Sequence, residues 1–175
     1  MSIPGIILLI AAALFIYLFN GLVIKRSRVE NFYLYYKAFL KRRMEHLEDL
    51  LAMLPDEADP LQIKVKDLLG KHCLNSNIIE QSQWDCALTG AWKELFESIK
   101  DNVELKDILN RLERNGGYLA TVRQEYNKAV SNLNNEIKVF PWSALAKKMK
   151  ISPRTPLEIP QDEWYKPLKL SNFRD

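Results

Sequence analysis

The sequence predicts an all-α protein in which an amino-terminal transmembrane helix continues into a helical, water-exposed part. Three observations point there. Residues 3–24, "IPGIILLIAAALFIYLFNGLVI", carry no charge. From Val29 onward apolar residues return every three or four positions, the period of one helix face. No segment alternates apolar and polar residues with period two, as a half-buried strand does.

The first element is the span. At ~1.5 Å per residue the run reaches about 33 Å, enough for a hydrocarbon core of roughly 30 Å. A cleaved signal peptide would show a basic leader, a shorter apolar stretch and a small-residue site behind it. Here only Met1 and Ser2 precede the run, Ala11-Ala12-Ala13 sits in its middle, and "KRSR" follows it. We therefore expect an uncleaved anchor over residues 1–24. Lys25, Arg26 and Arg28 set its orientation, because basic flanks stay cytoplasmic: residues 25–175 face the cytoplasm and the short end faces outward. At headgroup depth each of these cations gains ~1 kcal/mol from anionic lipid.

Beyond the span, Val29, Phe32, Tyr36, Leu40, Leu47, Leu50 and Leu54 share one helix face. No proline separates them from the anchor, so one helix is expected from about Pro4 to Leu54. Asn20-Gly21 is the place where it would bend, and Pro55 with the turn "DEADP" ends it. Pro60 suits the first turn of a short second helix closing near Gly70. "NSN" offers a cap for a third helix, from about Ile78 to Lys100, with stripes at Ala87, Ala91, Leu95, Ile99 and at Trp84, Leu88, Trp92. A fourth begins near Glu104 and keeps its rhythm through Leu105, Ile108, Leu112, Leu119, Val122, Tyr126, Val130, Leu133, Ile137 and Phe140, almost to Pro141. Residues 25–150 thus form the helical body. Residues 151–175 form a proline-rich tail with Trp164, Tyr165, Leu168 and Leu170, expected to be ordered by packing, with Trp164 at least partly buried.

Two residue choices stand out. At ~100° per residue, Asn134 and Asn127 fall about 80° and 100° from Tyr126, on the flank of the fourth helix's core stripe, while Asn135 falls on the far side. Each amide could bond a neighbouring helix, with the first as the expected partner, or simply face water. Arg43 lies inside the apolar stripe of the first helix. It must pair with a carboxylate from another helix, snorkel to the bundle edge, or bind an external anion.

Arg123-x-x-Tyr126-Asn127-x-x-Val130-x-x-x-Asn134-x-x-Ile137-x-x-Phe140-Pro141 resembles the carboxy-terminal signature of the LemA family, bacterial proteins with an amino-terminal membrane helix and a helical bundle. "NGLV" at 20–23 resembles that family's exit from the membrane, and "LKRRMEHLEDLL" at 40–51 its second conserved segment. The resemblance implies an elongated antiparallel four-helix bundle, a bacterial inner-membrane location, a cross-helix role for Asn127 and Asn134, and no enzyme. The family's suggested roles are membrane-associated scaffolding, protein assembly and envelope homeostasis. Three positions depart from it. Glu48 replaces a proline and favours a straight first helix, Leu133 replaces a tyrosine, and Gly116 followed by Gly117 replaces a glutamate. Each helical glycine costs on the order of 1 kcal/mol against alanine, unless the pair permits a close contact.

Composition narrows the function. A net charge of +3 argues against nucleic acid. Cys73 and Cys86 make no disulfide framework, and with His46 and His72 they show no metal-ligand spacing; thiols in a reducing compartment are expected, with no cofactor and no metal. There is no GxSxG, P-loop or HExxH, and "DEAD" at 56–59 lacks the alternation of a calcium loop. Two interaction classes remain. One is a membrane-anchored scaffold for an unknown membrane or cytoplasmic protein, a homo-oligomer included. The other is a lipid-surface module built on Lys138, Lys147, Lys148, Lys150 and Arg154 around "WSALAKKMKI".

Overall fold

The computed structural model describes residues 3–55, 59–71, 73–161 and 165–170. Among them there are five helices and no strand: α1 (Ile3–Met53), α2 (Pro60–Gly70), α3 (Ile78–Ile99), α4 (Lys106–Glu136) and α5 (Trp142–Lys148). The expectations for Trp164, His72 and most of the "DEAD" turn fall outside the described residues.

α1 is one helix of 51 residues that passes through Asn20-Gly21 without a break. It is long and apolar enough near its start to cross a membrane. From Ile6 to Tyr17 every residue is exposed, and burial begins at Leu22. From there Val29, Tyr36, Leu40, Leu47 and Leu50 face the core. Each fully buried leucine of this kind contributes about 1.5–3 kcal/mol.

The later helices start where their caps dictate. The Asp59 side chain accepts from Leu61 N at 2.9 Å, with Pro60 in the first turn of α2. The Asn77 side chain accepts from Glu80 N at 2.9 Å at the start of α3. Such caps satisfy amides that have no partner inside the helix and contribute ~1 kcal/mol each.

The order is up, down, up, down. α4 runs antiparallel to α1: Lys25 meets Glu136 near one end, and Phe39 stacks on Tyr118 at 5.4 Å between centroids farther along. α2 and α3 pair antiparallel, with Trp84 Nε1 donating to Leu68 O at 2.8 Å and Lys64 bonded to Glu94 at 2.7 Å. α1 and α4 are closely packed, as are α2 and α3. Between the two pairs, long side chains make the connection: Tyr33 to Gln81, Tyr36 and Arg43 to Asp85, and Arg123 to Asp85.

The end of α4 differs from the sequence expectation. The helix stops at Glu136, and tight turns carry Lys138 N to Asn135 O and Val139 N to Glu136 O. Phe140, expected on the core stripe, therefore lies beyond the helix and is 80% exposed. Pro141 then opens α5, a separate short helix that packs on α1 through its buried Leu145 and Ala146. α5 ends with Lys150 in the left-handed region (φ 54°) while Ile151 N bonds Ala146 O at 2.9 Å, a closure that turns the chain into its extended tail.

Candidate functional site

Two polar constructions occupy the bundle, and the tail touches both. The first is a buried knot around Asp85 of α3. Asp85 Oδ2 accepts from Arg123 Nε at 2.9 Å and Nη2 at 2.7 Å, and from the Tyr36 hydroxyl at 2.9 Å. Its Oδ1 faces Arg43 Nη1 at 3.3 Å, and the same nitrogen donates to Thr89 Oγ1 at 2.9 Å. Thr89 in turn donates to Asp85 O at 2.8 Å. Arg43, Asp85 and Arg123 are each 1% exposed, so these charges depend on protein partners rather than on water. Arg43 thus takes the carboxylate pair offered by another helix. Its Nη2 is buried with no hydrogen-bond partner among the described residues. Burial first, and the neighbouring Asp85 carboxylate second, push the Tyr36 hydroxyl far above the usual tyrosine range, so it stays a neutral donor.

The second construction is a clamp on the tail. Asn134 Nδ2 donates to Arg154 O at 2.7 Å, and its Oδ1 accepts from Arg154 N at 2.8 Å. One heptad earlier, Asn127 repeats the pattern on Leu157, at 2.8 and 2.7 Å. The geometry explains the spacing. Seven helical residues rise about 10.5 Å, and three extended residues span about 10 Å, so two amides a heptad apart meet every third residue of an extended chain. Each amide supplies one donor and one acceptor, the pair a neighbouring strand would offer. The expectation that Asn127 and Asn134 bond another helix is corrected accordingly. Their partner is the tail's main chain, because extended backbone has free N–H and C=O groups, whereas helix backbone has used its own.

Arg154 also reaches Glu30 of α1 at 3.4 Å, and further tail contacts run along α3 and α4. The Tyr126 hydroxyl donates to Thr155 O at 3.0 Å, and Ser82 Oγ accepts from Glu158 N at 2.7 Å. Leu157 is buried. Farther on, Thr121 Oγ1 donates to Leu168 O at 2.6 Å, and Leu168 N reaches Gly117 O at 3.3 Å. Tyr165 lies on Gly116: a Cβ there would stand 2.3 Å from its ring, and one on Gly117 would stand 2.9 Å from Lys166 O. The glycine pair is therefore the tail's seat. The Tyr165 hydroxyl accepts from Trp92 Nε1 at 2.5 Å, and burial pushes it up to about 12 against the opposing field of Arg43. Tyr165 so lies beside the Asp85 knot.

The other sequence-predicted positions divide cleanly. Val130 is core, Ile137 is half-buried at the end of α4, and Tyr126 is buried and packs on Tyr33 at 6.1 Å. Lys25 bonds Glu136, Arg26 pairs with Glu30 one turn on at 2.9 Å, and Arg28 is exposed. Asp85 was not singled out from the sequence, although Asp85, Leu88, Thr89 and Trp92 share one helix face at spacings of three, four and seven. A carboxylate on the same stripe as Leu88 and Trp92 is the signal that would have found it. Among the described residues no cluster of three histidine, cysteine or acidic side chains could hold a metal, and Cys73 and Cys86 are half-buried without a disulfide.

The chain matches no curated protein. Residues 75–171, more than half of its length, match the LemA family, a stretch that takes in Asp85, both clamp asparagines and the tail's seat; the chain belongs to the LemA family.

Proposed function

We propose that this chain is a single-pass, membrane-anchored protein-interaction module, facing the cytoplasm of a bacterium and without catalysis. The observation that carries the reading is the asparagine clamp. Asn127 and Asn134 read main chain rather than side chains, so the groove accepts an extended segment as such. Selection falls to the seats for Leu157 and Tyr165. Partners of matching chemistry present an extended stretch with a leucine followed eight residues later by a tyrosine. The continuous α1 supports the scaffold role, since a helix unbroken from apolar run to bundle holds the groove at a fixed height above the bilayer. The knot's own bonds support the absence of catalysis: the Asp85 carboxylate, the Thr89 hydroxyl and the Tyr36 hydroxyl are taken up within it rather than presented to a cleft.

The test uses the full chain in nanodiscs and a fluorescent peptide copying residues 151–170. The tethered tail competes at roughly millimolar effective concentration, so the wild-type chain should bind micromolar peptide poorly. Arg154→Pro with Leu157→Pro removes both N–H groups that the clamp accepts, releases the tail, and should raise peptide binding at least tenfold. Adding Asn127→Ala should reverse the gain. A released chain that still ignores the peptide defeats the proposal. A second reading, a lipid-surface module, is favoured by the basic corner between α4 and α5, where Lys138, Lys147, Lys148 and Lys150 are all exposed.

A further inference from the structure

We propose that residues 137–150, the corner joining α4 to α5, form a second membrane contact: a foot set into the interface of the cytoplasmic leaflet that takes anionic lipid. The inference rests on the membrane-span reading of α1.

Height comes first. Glu136, the last residue of α4, bonds Lys25 at the end of the apolar run, so the corner starts level with the membrane edge. α5 then packs on α1, and Leu22 is fully buried while Ile6 to Tyr17 are all exposed. Residues 3–21 rise about 28 Å at ~1.5 Å each, close to the roughly 30 Å of a hydrocarbon core. Once lipid has covered that length, Leu22 to Lys25 and the corner beside them lie in the headgroup region.

The corner's chemistry suits that depth. Val139 and Phe140, adjacent in sequence, are 58% and 80% exposed, and Trp142 beside them is half-buried. In water such a group is an unpartnered apolar projection; at an interface it is an anchor of the aromatic-belt kind. Lys138, Lys147, Lys148 and Lys150 are exposed around it, and no acidic residue occurs from Ile137 to Leu157. Leu145 and Ala146 meanwhile face inward, which leaves the lysines of α5 directed away from the core. Apolar insertion beside excess positive charge is the pattern of an interfacial segment on an anionic leaflet.

The test is photo-crosslinking of the full chain in proteoliposomes of zwitterionic lipid containing about one-third phosphatidylglycerol, with a benzophenone amino acid replacing Phe140. Val103, 82% exposed in the loop between α3 and α4 at the opposite end of α4, gives the control position. Lipid adducts at position 140 should exceed those at 103 at least tenfold, and phosphatidylglycerol should be enriched several-fold among them. Lys147→Glu with Lys148→Glu should abolish that enrichment. Equal adducts at 140 and 103 in a chain that resists carbonate extraction would overturn the foot while leaving the anchor. Adducts without headgroup preference would overturn the anionic-lipid assignment. Release by carbonate would overturn the span reading, and the foot with it.

Discussion

The clamp invites a perturbation at single-residue resolution. In Asn127→Ala both bonds to Leu157 disappear, one of 2.8 Å and one of 2.7 Å. Hydrogen bonds at partly buried sites contribute about 0.5–1.5 kcal/mol net, and water regains part of the loss here, so ~1–2 kcal/mol is expected for the pair. Leu157 keeps its buried side chain, so the segment should loosen rather than detach. The readout is amide exchange by NMR or mass spectrometry. At 1.4 kcal/mol per decade, Leu157 N–H should exchange roughly 5- to 30-fold faster. Arg154 N–H, held by Asn134 about 10 Å away, should change less than threefold, since sites that far apart act almost independently. Asn134→Ala should show the reverse pattern with a smaller effect, because its bonds are solvent-exposed. Asn127→Asp preserves shape and the acceptor for Leu157 N–H but sets a carboxylate against Leu157 O. It should cost at least as much as alanine at pH 7. The carboxyl's pKa is raised by this contact, so its deficit should shrink as pH falls through the raised value, where it is protonated and donates again. Asn135→Ala, on the exposed face, should stay within ~0.5 kcal/mol of neutral. Unchanged exchange at Leu157 in Asn127→Ala, or equal damage from Asn135→Ala, would refute the clamp.

Asp85→Ala removes the carboxylate that two buried guanidinium groups share and should cost about 3–5 kcal/mol in urea denaturation; a loss under ~1 kcal/mol would mean the knot is hydrated. Gly116→Ala should lower stability by about 1–3 kcal/mol, because its Cβ would collide with the Tyr165 ring. Gly90→Ala, with nothing within 4 Å of its Cβ, should raise stability by ~0.5–1 kcal/mol, and matching signs in the two variants would contradict the seat. A reporter fused after Asp175 should be active only as a cytoplasmic enzyme, and periplasmic activity would reverse the orientation assigned from Lys25, Arg26 and Arg28.

The helices were legible because each buries a stripe, and a stripe leaves a period in the sequence. α1 through Gly21, the Asn77 cap and the α4 core all follow from that. Arg43 was legible as an anomaly, a charge within a stripe, and the anomaly itself demanded a partner. The partner was less visible: Asp85 sits among tryptophans and leucines, and the eye follows the larger apolar residues. The asparagines' flank position was legible but their partner was not. An amide on a helix flank bonds a helix or an extended chain equally well, and an extended tail leaves no periodic mark. Gly116 and Gly117 show the same limit. As a local pair they weaken a helix, and only the tail lying across them reveals that a side chain there would occupy the place of Tyr165.

These polar devices share a task that apolar packing performs poorly. The stripes of α1 and α4 repeat every three or four residues, so sliding one helix by a turn of about 5.4 Å would restore much of their contact. Arginine and aspartate do not forgive such a slide. Arg43 of α1 and Arg123 of α4 meet the single carboxylate of Asp85 on α3, and their reach fixes three helices at one height. Lys25 with Glu136 repeats the setting at the end of the apolar run, where α1 and α4 meet again. Asn127 and Asn134 then set the tail, since a shift of one residue would turn the N–H and C=O groups of Arg154 and Leu157 away from their amides. The energetic return of a buried ion pair over an apolar substitute is small or negative. Its effect here is to choose among registers, and that choice brings Trp92 and Gly116 together beneath Tyr165 of the tail.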